Sequence, residues 1–560
     1  MEYHDGARLE HVGRLPGMVA HRYDEKTAIT DQAGEHSFAE LEARSNAVAN
    51  VFVDNGVEPG DRVGLYIPNT VQFPEAFFGA IKAGAIPVAL NLRMDESTLV
   101  YVLEDAGIDH LVSSPLLAAG LETDTSSIVA ATALAEAAAI ETHYLPGMSG
   151  EGVVNYSHAV DDAPTTFDIV DRDFRDVVIQ TYTSGTTGRP KGVLLTHENI
   201  LKTLESLSRS TAGAVDPEDT VLCILPLFHM PSMVTIFLTH YTHGALTVYQ
   251  AIPDPESMLA AIDEHDVNGL PAVPAIHTML WRTYREDPDA YDLSSLEVLG
   301  AGAAPLPEDT QRTLIDAWGA SFTEVWGMTE TTSVATVRSA AHWKRAGCIG
   351  KPLPNVDLRL VDPETRETIV GADLLDPLSG PIHDALPFDD EAAVTGEIAI
   401  TGPQVFKEYF NRPEATAEAF DDEGWFYTAD IARVDEDGDL WIVDRADDMI
   451  IAGGENIYPA EVEDALYEHP DIAEAAVVAA PHAVKGEAPV AFVVPEAGAE
   501  LTERAVREYA LERVPSYAHP RRVFFVEELP RSATQKVQRF ALEEDLEERL
   551  DGPLDSSEKL

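Results

Sequence analysis

The first 180 residues alternate between stretches with helical periodicity and short apolar runs of strand length. Residues 38–55 carry apolar side chains at helical spacing, and a strand-like run follows at 63–67. Residues 75–83 again fit a helix and residues 85–90 a strand. Because parallel neighbours in a sheet need a crossover connection, this alternation predicts α/β architecture with parallel sheets. Further strand-like runs occur at 221–225, 246–249 and 296–299.

The chain after Gly396 has a different pattern, with short alternating strands and then a small α+β arrangement. Asp437-Gly438 lies between two apolar runs, which is a strong hairpin signal. Helix, strand, strand, helix and strand are predicted in turn at 459–469, 473–479, 488–494, 503–514 and 523–526. Residues 363–393 are acidic and weakly periodic and are predicted to form a surface loop or an insertion. The charged tail 543–560 is predicted to fray.

The charge balance excludes several classes of partner. Lys and Arg number 38 and Asp and Glu 97, so the formal net charge is −59. Binding to double-stranded nucleic acid needs a basic footprint, and an anionic membrane surface would repel this chain. An acid excess spread along the whole chain suits a cytoplasm with very high salt, where screening shortens the range of self-repulsion. We therefore expect a halophilic source and no nucleic-acid partner.

The sequence favours a cytoplasmic protein without structural disulfides. Cys223 and Cys348 are too few for a disulfide framework or a cysteine-based zinc site. The N-terminus lacks the basic and apolar regions of a signal peptide. No run of 18 apolar residues is present, so no integral membrane contact is expected. The sequence leaves a homodimer open.

A loop rich in glycine and hydroxyl groups follows the strand-like run at 177–180. Residues 182–192 read Tyr-Thr-Ser-Gly-Thr-Thr-Gly-Arg-Pro-Lys-Gly. Hydroxyls and free amides can bind phosphate oxygens, and the lysine adds a cation. A Walker A loop is excluded, because Pro190 precedes the lysine and Gly192 replaces the Ser/Thr. The predicted nucleotide-binding residues here are Thr183, Ser184, Gly185, Thr186, Thr187, Gly188 and Lys191.

This loop and the motifs that follow it resemble the AMP-forming adenylating enzymes, which include acyl-CoA synthetases, nonribosomal adenylation domains and firefly luciferase. The resemblance extends from about Thr27 to Leu542, and the motifs stand in the order found in that family. The matching motifs lie at 182–192, 225–230, 302–306, 326–331, 427–430, 444–450, 453–459 and 529–539.

The resemblance implies roles for residues in the first part of the chain. His229 would lie near the acyl carboxylate, and Gly302, Ala303 and Ala304 would lie against adenine. Trp326 replaces the usual Tyr and can still stack on adenine. The further candidates in this motif are Gly327, Thr329 as a hydrogen-bond donor to the α-phosphate, and Glu330 as the ligand of Mg²⁺. Thr329-Glu330 also fits the start of a helix with the threonine as its cap.

The resemblance also implies roles in the last part of the chain. Asp430 would bind the ribose hydroxyls, and Arg445 the ribose or a phosphate. Asp447 would be the hinge, and Gly453 and Gly454 would line the passage of the pantetheine arm. Lys536 matches the catalytic lysine of the family. Three residues depart from the usual glycine of their motifs, namely Ala429, Asp444 and Gln535.

The fold class expected is α/β, with a large N-terminal domain of α/β subdomains with parallel sheets plus a β-rich part, and a small mobile C-terminal α+β domain. The predicted limits are 1–444 for the N-terminal adenylation and acyl-binding domain, 445–448 for the hinge and 449–560 for the C-terminal domain. By resemblance, the protein joins an acid to ATP as an acyl-adenylate, releases pyrophosphate and transfers the acyl group to coenzyme A. Lys536 would bridge the carboxylate and the α-phosphate in the first step and would not be needed in the second.

The acid itself is the least constrained part of the prediction. The neighbours of the motifs are mostly apolar, which favours a medium- or long-chain fatty acid: Met230, Met233, Val234, Ile236, Phe237, Trp326 and Met328. His229 stands where amino-acid-activating relatives place an Asp, which argues against amino acids, and no carrier domain is expected. An aryl acid of the benzoate or cinnamate type is the closest competing substrate. The sequence also leaves open a luciferase-like oxygenase, a non-catalytic nucleotide-binding homologue, and a Rossmann oxidoreductase that rests on Gly300-Ala301-Gly302.

Overall fold

The computed structural model describes the 560-residue chain apart from residues 1–8, 118–120, 123–126, 184–188, 211–214, 252–253, 303–307, 339–346, 377–381, 383–384, 391–392, 446–447, 453–454, 497, 500, 516, 532–536, 551, 553 and 555–560. The described residues divide into two compact units. Unit 1 comprises Met1–Leu358, Leu375–Gly380 and Ile400–Phe426, and unit 2 comprises Arg359–Leu374, Pro381–Ala399 and Tyr427–Leu560.

Helices occur throughout the chain. They are α1 (Leu15–Tyr23), α2 (Phe38–Asp54), α3 (Gln72–Lys82), α4 (Glu96–Ala106), α5 (Ala131–Ala137), α6 (Tyr156–Asp162), α7 (His197–Arg209), α8 (Thr239–His243), α9 (Pro255–Glu264), α10 (Pro274–Tyr284), α11 (Glu308–Trp318), α12 (Ala372–Leu375), α13 (Pro413–Ala419), α14 (Pro459–Tyr467), α15 (Glu503–Leu511) and α16 (Arg539–Arg549). Short 3-10 turns occupy Val12–Arg14, Pro115–Leu117 and Thr329–Thr331, and a π-helix occupies Pro231–Leu238.

The strands are mostly short. They are β1 (Thr27–Asp31), β2 (Gly34–Ser37), β3 (Arg62–Tyr66), β4 (Ile86–Ala89), β5 (Ile108–Ser113), β6 (Leu121–Glu122), β7 (Ser127–Ile128), β8 (Thr142–Tyr144), β9 (Val153–Val154), β10 (Val177–Thr183), β11 (Lys191–Thr196), β12 (Thr220–Cys223), β13 (Leu246–Tyr249), β14 (Gly269–Ala272), β15 (Val298–Ala301), β16 (Ser321–Trp326), β17 (Thr336–Val337), β18 (Cys348–Pro352), β19 (Asp357–Val361), β20 (Thr368–Val370), β21 (Thr395–Thr401), β22 (Glu408–Tyr409), β23 (Phe426–Val434), β24 (Leu440–Arg445), β25 (Ile450–Ala452), β26 (Glu455–Ile457), β27 (Ile472–His482), β28 (Gly486–Pro495) and β29 (Arg522–Phe525).

Unit 1 contains two large sheets in which the central strand pairs are parallel. One has the order β22-β11-β10-β4-β3-β5-β8-β9, with antiparallel pairing only where β11 meets β10 and β22 among the described strands. The other has the order β2-β1-β13-β12-β14-β15-β16-β17-β18, with parallel pairing from β1 to β16. The parallel α/β architecture predicted from the sequence is confirmed.

Local sequence explains why the elements of unit 1 begin and pack as they do. Ser37 caps α2 through a reciprocal pair of hydrogen bonds with Glu40. All four residues of β4 are buried, as expected for a parallel strand that is covered on both faces. Helices α2 and α3 approach closely at Gly79, where an added Cβ would lie 2.5 Å from Cγ1 of Val48.

Unit 2 contains an antiparallel β-rich part and a C-terminal α+β part. Strands β24, β23, β21, β19 and β20 follow one another in the first part, where the predicted hairpin at Asp437-Gly438 joins β23 to β24. The C-terminal sheet has the order β26-β25-β28-β27, and β29 pairs in parallel with β28. Alternate residues of β27 and β28 face two separate apolar clusters, one with α14 and α15 and the other with α16.

The structure corrects two expectations about irregular segments. Residues 363–393 were expected to form a surface loop or an insertion; they are not only loop, because β20 and α12 lie there and Val370 and Leu375 are buried. The tail from 543 was expected to fray, but α16 continues to Arg549, and Leu546 packs into the C-terminal core. The amide of Leu554 also donates a hydrogen bond to the carbonyl of Pro481. Both corrections arise from long-range packing, which the weak local periodicity did not reveal.

No helix among the described residues combines the length and the apolarity needed to cross a membrane.

Candidate active site

The two ends of the predicted phosphate loop meet at one end of an antiparallel strand pair. Thr183 is the last residue of β10, Lys191 is the first residue of β11, and the two are direct partners in the register. Both side chains are half-buried. Ser184, Gly185, Thr186, Thr187 and Gly188 lie outside the described residues. The strand pairing alone therefore places Lys191 beside the start of the loop.

Tyr409 lies between the basic and the acidic candidate residues of unit 1. Its hydroxyl donates a hydrogen bond to Oε1 of Glu330 at 2.9 Å. The centroid of its ring lies 5.2 Å from Nζ of Lys191, within the range of a cation–π contact. Because β22 pairs with β11, Tyr409 is held next to the strand that starts at Lys191. Two motifs far apart in sequence therefore meet through one tyrosine.

A short 3-10 turn presents Glu330. The hydroxyl of Thr331 accepts a hydrogen bond from the amide of Met328 at 2.9 Å, and the carbonyl of Glu330 accepts one from the amide of Phe406 at 2.8 Å. Met328 occupies the cap position and Thr329 is the first residue of the turn. The predicted helix start at Thr329-Glu330 is confirmed as a 3-10 turn, but Met328 and not Thr329 occupies its cap position.

The loop after Trp326 is constrained by close backbone contacts. An added Cβ at Gly327 would lie 2.1 Å from the carbonyl oxygen of Ser333, so only glycine fits here. Thr332 and Ser333 both have positive φ, at 55° and 94°. Such strain at non-glycine residues persists only where the surroundings hold it, and the Thr332 hydroxyl donates to the carbonyl of Gln404 at 2.6 Å. Trp326 itself is 8% exposed.

His229 follows β12 in a segment that a buried asparagine holds in place. The Asn69 side chain donates to the carbonyl of Leu225 at 2.9 Å and accepts from the amide of Leu227 at 2.9 Å. The ring of His229 is half-buried, and its centroid lies 4.5 Å from that of Phe228. Asn69 lies outside every motif recognised in the sequence, so only its burial in the structure reveals this role.

The π-helix after His229 places its apolar residues in the protein core. Phe237 packs against Phe78, Tyr241 and Tyr249, with ring centroids 5.4–6.1 Å apart. The half-buried residue Thr235 instead shares a 2.6 Å hydrogen bond with the hydroxyl of Ser333. The apolar character of this helix therefore reflects core packing, and a polar residue connects it to the Trp326 loop.

Gly302 directly follows β15, whose neighbour β16 ends at Trp326. An added Cβ at Gly302 would lie 3.2 Å from Cγ2 of Val325, so the backbone approaches β16 closely. Ala303 and Ala304 lie outside the described residues.

In unit 2, the pairing of β23 with β24 brings together Asp430 and Arg445. The two are partners in the register, and Nη1 of Arg445 lies 2.7 Å from Oδ1 of Asp430. Ala429 adopts a left-handed backbone with φ of 59°, and its amide donates to the Glu397 carboxylate at 2.8 Å. Alanine thus keeps the conformation for which the usual glycine is suited, at a cost of roughly 1–2 kcal/mol. Glu397 is a supporting residue that none of the sequence motifs indicated.

The remaining candidates, Asp447, Gly453, Gly454 and Lys536, lie outside the described residues. Unit 1 thus brings together Thr183, Lys191 and Glu330, and unit 2 brings together Asp430 and Arg445.

Family models and related proteins match most of this chain. A family model described as AMP-binding enzyme matches residues 18–410, and one described as the AMP-binding enzyme C-terminal domain matches residues 461–536. A feruloyl-CoA synthase of Amycolatopsis sp is 33% identical over 536 residues, which cover 95% of this chain and 98% of that protein. A long-chain-fatty-acid–CoA ligase of Bacillus subtilis (strain 168) is 31% identical over 547 residues, covering 94% and 93%. The structure of ATP-bound MatB from Rhodopseudomonas palustris matches with a TM-score of 0.82 at 29% identity, covering 96% of this chain and 99% of that one.

Proposed function

Because this chain belongs to the AMP-binding enzyme family, we propose that it is an ATP-dependent ligase that joins a hydrophobic carboxylic acid, a medium- or long-chain fatty acid, to coenzyme A. An acyl-adenylate is the intermediate, and AMP and pyrophosphate are released. The coarser activity, acyl- or aryl-CoA ligation through an adenylate, is supported by the family match and by relatives of both substrate classes. The observation that carries the ligase activity is the placement of Lys191 and Glu330 around Tyr409. The choice of a fatty acid rests on the mostly apolar neighbours of the sequence motifs, such as Met230 and Met328.

The first half-reaction brings two anions together, so the barrier is largely electrostatic. In the proposal, Lys191 and the phosphate loop bind the β- and γ-phosphates of ATP, and Thr329 donates a hydrogen bond to the α-phosphate. Lys536 bridges the α-phosphate and the acid carboxylate. The carboxylate attacks the α-phosphorus, one P–O bond forms, and the bond to pyrophosphate breaks. Positioning of the two reactants supplies much of the remaining acceleration.

The donor set around Glu330 fits Mg²⁺. This ion prefers one or two carboxylate oxygens together with phosphate oxygens and water. The Glu330 carboxylate supplies such an oxygen, and the hydrogen bond from Tyr409 orients it on the same side as Lys191. When bound, Mg²⁺ would neutralise charge on the leaving pyrophosphate.

The nucleoside part of ATP is assigned to the other candidates. Trp326 and Gly302 to Ala304 face adenine in the proposal, and Asp430 and Arg445 bind the ribose. The salt bridge from Arg445 fixes the direction of the Asp430 carboxylate. In the second half-reaction, rotation at Asp447 removes Lys536 and brings the loop at Gly453 and Gly454 to the pantetheine arm. The thiolate of coenzyme A then attacks the acyl carbon and AMP leaves.

An aryl acid remains the second candidate substrate. The feruloyl-CoA synthase has a higher identity than the fatty-acid ligase, and Thr235 brings a polar group to the Trp326 loop. His229 is proposed to orient the carboxylate for either class of acid.

A substrate panel tests the proposal and separates the two classes. Purified protein with ATP and Mg²⁺ is incubated with dodecanoate, hexadecanoate, benzoate, 4-coumarate or ferulate, and pyrophosphate release and CoA thioester are both measured. We expect CoA thioester with the fatty acids. Thioester with only the aryl acids would replace the fatty-acid assignment, and no acid-dependent pyrophosphate release would contradict ligase activity.

Adaptation to high salt and a cytoplasmic location are part of this proposal. With a net charge of −59, self-repulsion destabilises the folded chain when salt is removed. At about 1 M salt the screening length falls to roughly 3 Å, which relieves this repulsion. Thermal unfolding followed by circular dichroism should show a midpoint that rises strongly with KCl. An equal midpoint in dilute buffer would contradict the adaptation.

A further inference from the structure

Asp444 connects the end of β24 to the start of α14. Its Oδ2 accepts a hydrogen bond from the amide of Ala460 at 2.8 Å, and its Oδ1 accepts one from the amide of Arg445 at 2.8 Å. Ala460 is the second residue of α14, after Pro459. The residue at the cap position of α14 is Tyr458, which is not a capping residue type. A carboxylate from a different element therefore caps this helix.

The capping contact offsets part of the cost of burying Asp444. Asp444 is 6% exposed, and burial raises the pKa of its carboxyl group above the usual value. The hydrogen bond from the Ala460 amide and the positive end of the helix dipole act in the opposite direction and favour the charged carboxylate. The carboxylate of Asp444 is thus engaged within the protein.

Helix α14 is in turn connected to the segment that follows Lys536. Glu463 on α14 accepts a hydrogen bond from Nη2 of Arg539 at 3.0 Å, and Nε of Arg539 lies 3.5 Å from Asp448. Nη1 of Arg539 donates to the carbonyl of Val477 at 2.8 Å. Arg539 stands three residues after Lys536 in the sequence. Helix α14 is therefore in contact with a residue that stands close to Lys536 in the sequence.

These contacts lie on both sides of the predicted hinge. Asp444 precedes Asp447, and α14 and Arg539 follow it. A rotation at Asp447 moves β24 relative to α14, so a 2.8 Å hydrogen bond between them can exist in only one of two orientations. Breaking it exposes the helix end and leaves a carboxylate without its partner.

We infer that Asp444 is a positioning residue for the proposed ligase reaction, and that its hydrogen bond to α14 stabilises one of the two orientations that the half-reactions require. This inference rests on the proposed function. In this inference Asp444 influences the relative rates of the two half-reactions. The groups that react are those already named under the proposed function. The frequent glycine at this position of the family motif has no carboxylate and so cannot form this contact.

The test compares Asp444→Gly and Asp444→Asn with the wild-type chain in the two half-reactions. Adenylation is measured by pyrophosphate release without coenzyme A, and thioester formation by mixing synthetic acyl-adenylate with coenzyme A. The probe is the acid that gives the highest turnover in the panel. The ratio of the two rates is compared, because it does not depend on the fraction of folded protein.

We expect the two rates to change in opposite directions in Asp444→Gly, with their ratio shifted about fivefold, as the loss of one helix cap predicts. Asp444→Asn keeps one acceptor oxygen and should shift the ratio less. A ratio equal to that of the wild type in both variants overturns the inference, whether the individual rates fall together or stay the same.

Thr502→Ala is the matched control. Thr502 caps α15 in the same part of the chain by accepting a hydrogen bond from Ala505. Its loss should lower stability without changing the ratio of half-reactions. If Thr502→Ala shifts the ratio as much as Asp444→Gly does, the effect is a general loss of stability and the inference is wrong.

A second measurement separates this inference from the proposed function. Trypsin cleavage after Arg445 should be several-fold faster in Asp444→Gly than in Thr502→Ala, because the segment loses its contact with α14. If the wild-type chain releases no pyrophosphate with any acid, the proposed function fails, and this cleavage still tests the contact. Equal cleavage rates in Asp444→Gly and Thr502→Ala then overturn the inference about Asp444.

Discussion

The neighbourhood of Tyr409 in unit 1 and the neighbourhood of Arg539 in unit 2 both concentrate charged side chains, but they use them differently. In unit 1, an aromatic ring stands between the Lys191 ammonium and the Glu330 carboxylate. In unit 2, the Arg539 guanidinium contacts the carboxylates of Glu463 and Asp448 directly. The first arrangement keeps opposite charges apart and suits a charged ligand. In the second arrangement the charged side chains pair with one another and hold segments of the chain together.

The contacts that hold Glu330 and Glu463 in place differ in the same way. Glu330 depends on backbone contacts of a constrained loop that includes Gly327 and two residues with positive φ. Glu463 depends on side-chain pairing at a largely buried position, and burial raises the pKa of its carboxyl group to about 7. A loop held by backbone contacts keeps its geometry when the charge of a nearby group changes. A buried network of charged side chains rearranges when one of its members gains or loses a charge. We therefore expect chemistry in the first region and conformational control in the second.

The largest effect is expected from Lys536→Ala. Loss of the only cation proposed to bridge the two reacting anions should lower the rate of adenylation by about 1,000-fold. Conversion of supplied acyl-adenylate to thioester should remain near the wild-type rate. Separate assays of the two half-reactions check this, and an equal loss in both would show that Lys536 does not act in the first step alone.

Asp447→Pro should impair the second half-reaction and spare the first, the reverse of Lys536→Ala. Proline fixes φ and removes an amide donor, so the variant cannot make the rotation proposed between half-reactions. We expect thioester formation to fall by about 100-fold, with adenylation close to normal. Normal overall turnover in a coupled assay would remove Asp447 from the hinge.

Tyr409→Phe tests the link within unit 1. The variant keeps the ring beside Lys191 and removes the hydrogen bond to Glu330, and a hydrogen bond to a charged group contributes about 1.5–3 kcal/mol. We expect adenylation to fall by about tenfold, with a higher requirement for Mg²⁺. Tyr467→Phe, at a half-exposed tyrosine of α14, is the matched control and should be near neutral. An unchanged Mg²⁺ requirement in Tyr409→Phe would separate Tyr409 from the metal site.

Buried titratable groups in the two units should affect the stability of the protein in opposite pH directions. Glu463 has a pKa raised from 4.5 to about 7 by burial, so the folded state keeps a proton that the unfolded state has lost. This group therefore removes stability as pH rises from about 4.5 to about 7, by on the order of 1–3 kcal/mol. His11 and His197 in unit 1 have pKa values lowered by burial to about 4 and about 3, so they remove stability as pH falls below about 6.5.

Glu463→Gln isolates the pH effect of Glu463, which is expected to be smaller than the combined effect of His11 and His197. Relative to wild type, the variant should become more stable as pH rises from about 5 to about 8, because it cannot ionise. Chemical unfolding at constant high salt over this range checks the difference. A difference in unfolding free energy that does not vary with pH would contradict the raised pKa.

Local sequence was sufficient to predict the α/β class and the approximate positions of a minority of the helices and strands. Helix α2 and strands β3 and β4 follow from local periodicity and capping, and the hairpin between β23 and β24 follows from Asp437-Gly438. The order of the motifs indicated the candidate residues and the family. These features are local or depend on residue identity, so they can be inferred without knowing which segments meet.

Contacts across long separations became clear only from the folded chain. Tyr409 reaches Glu330 and Lys191 because β22 pairs with β11, and Asp444 reaches α14 across the predicted hinge. Phe237 faces the core and Thr235 contacts the Trp326 loop, although the sequence indicated Phe237 only as an apolar neighbour of the motifs and did not single out Thr235. Strand pairing and packing depend on the free energy of the whole chain, and local sequence preferences leave these choices open.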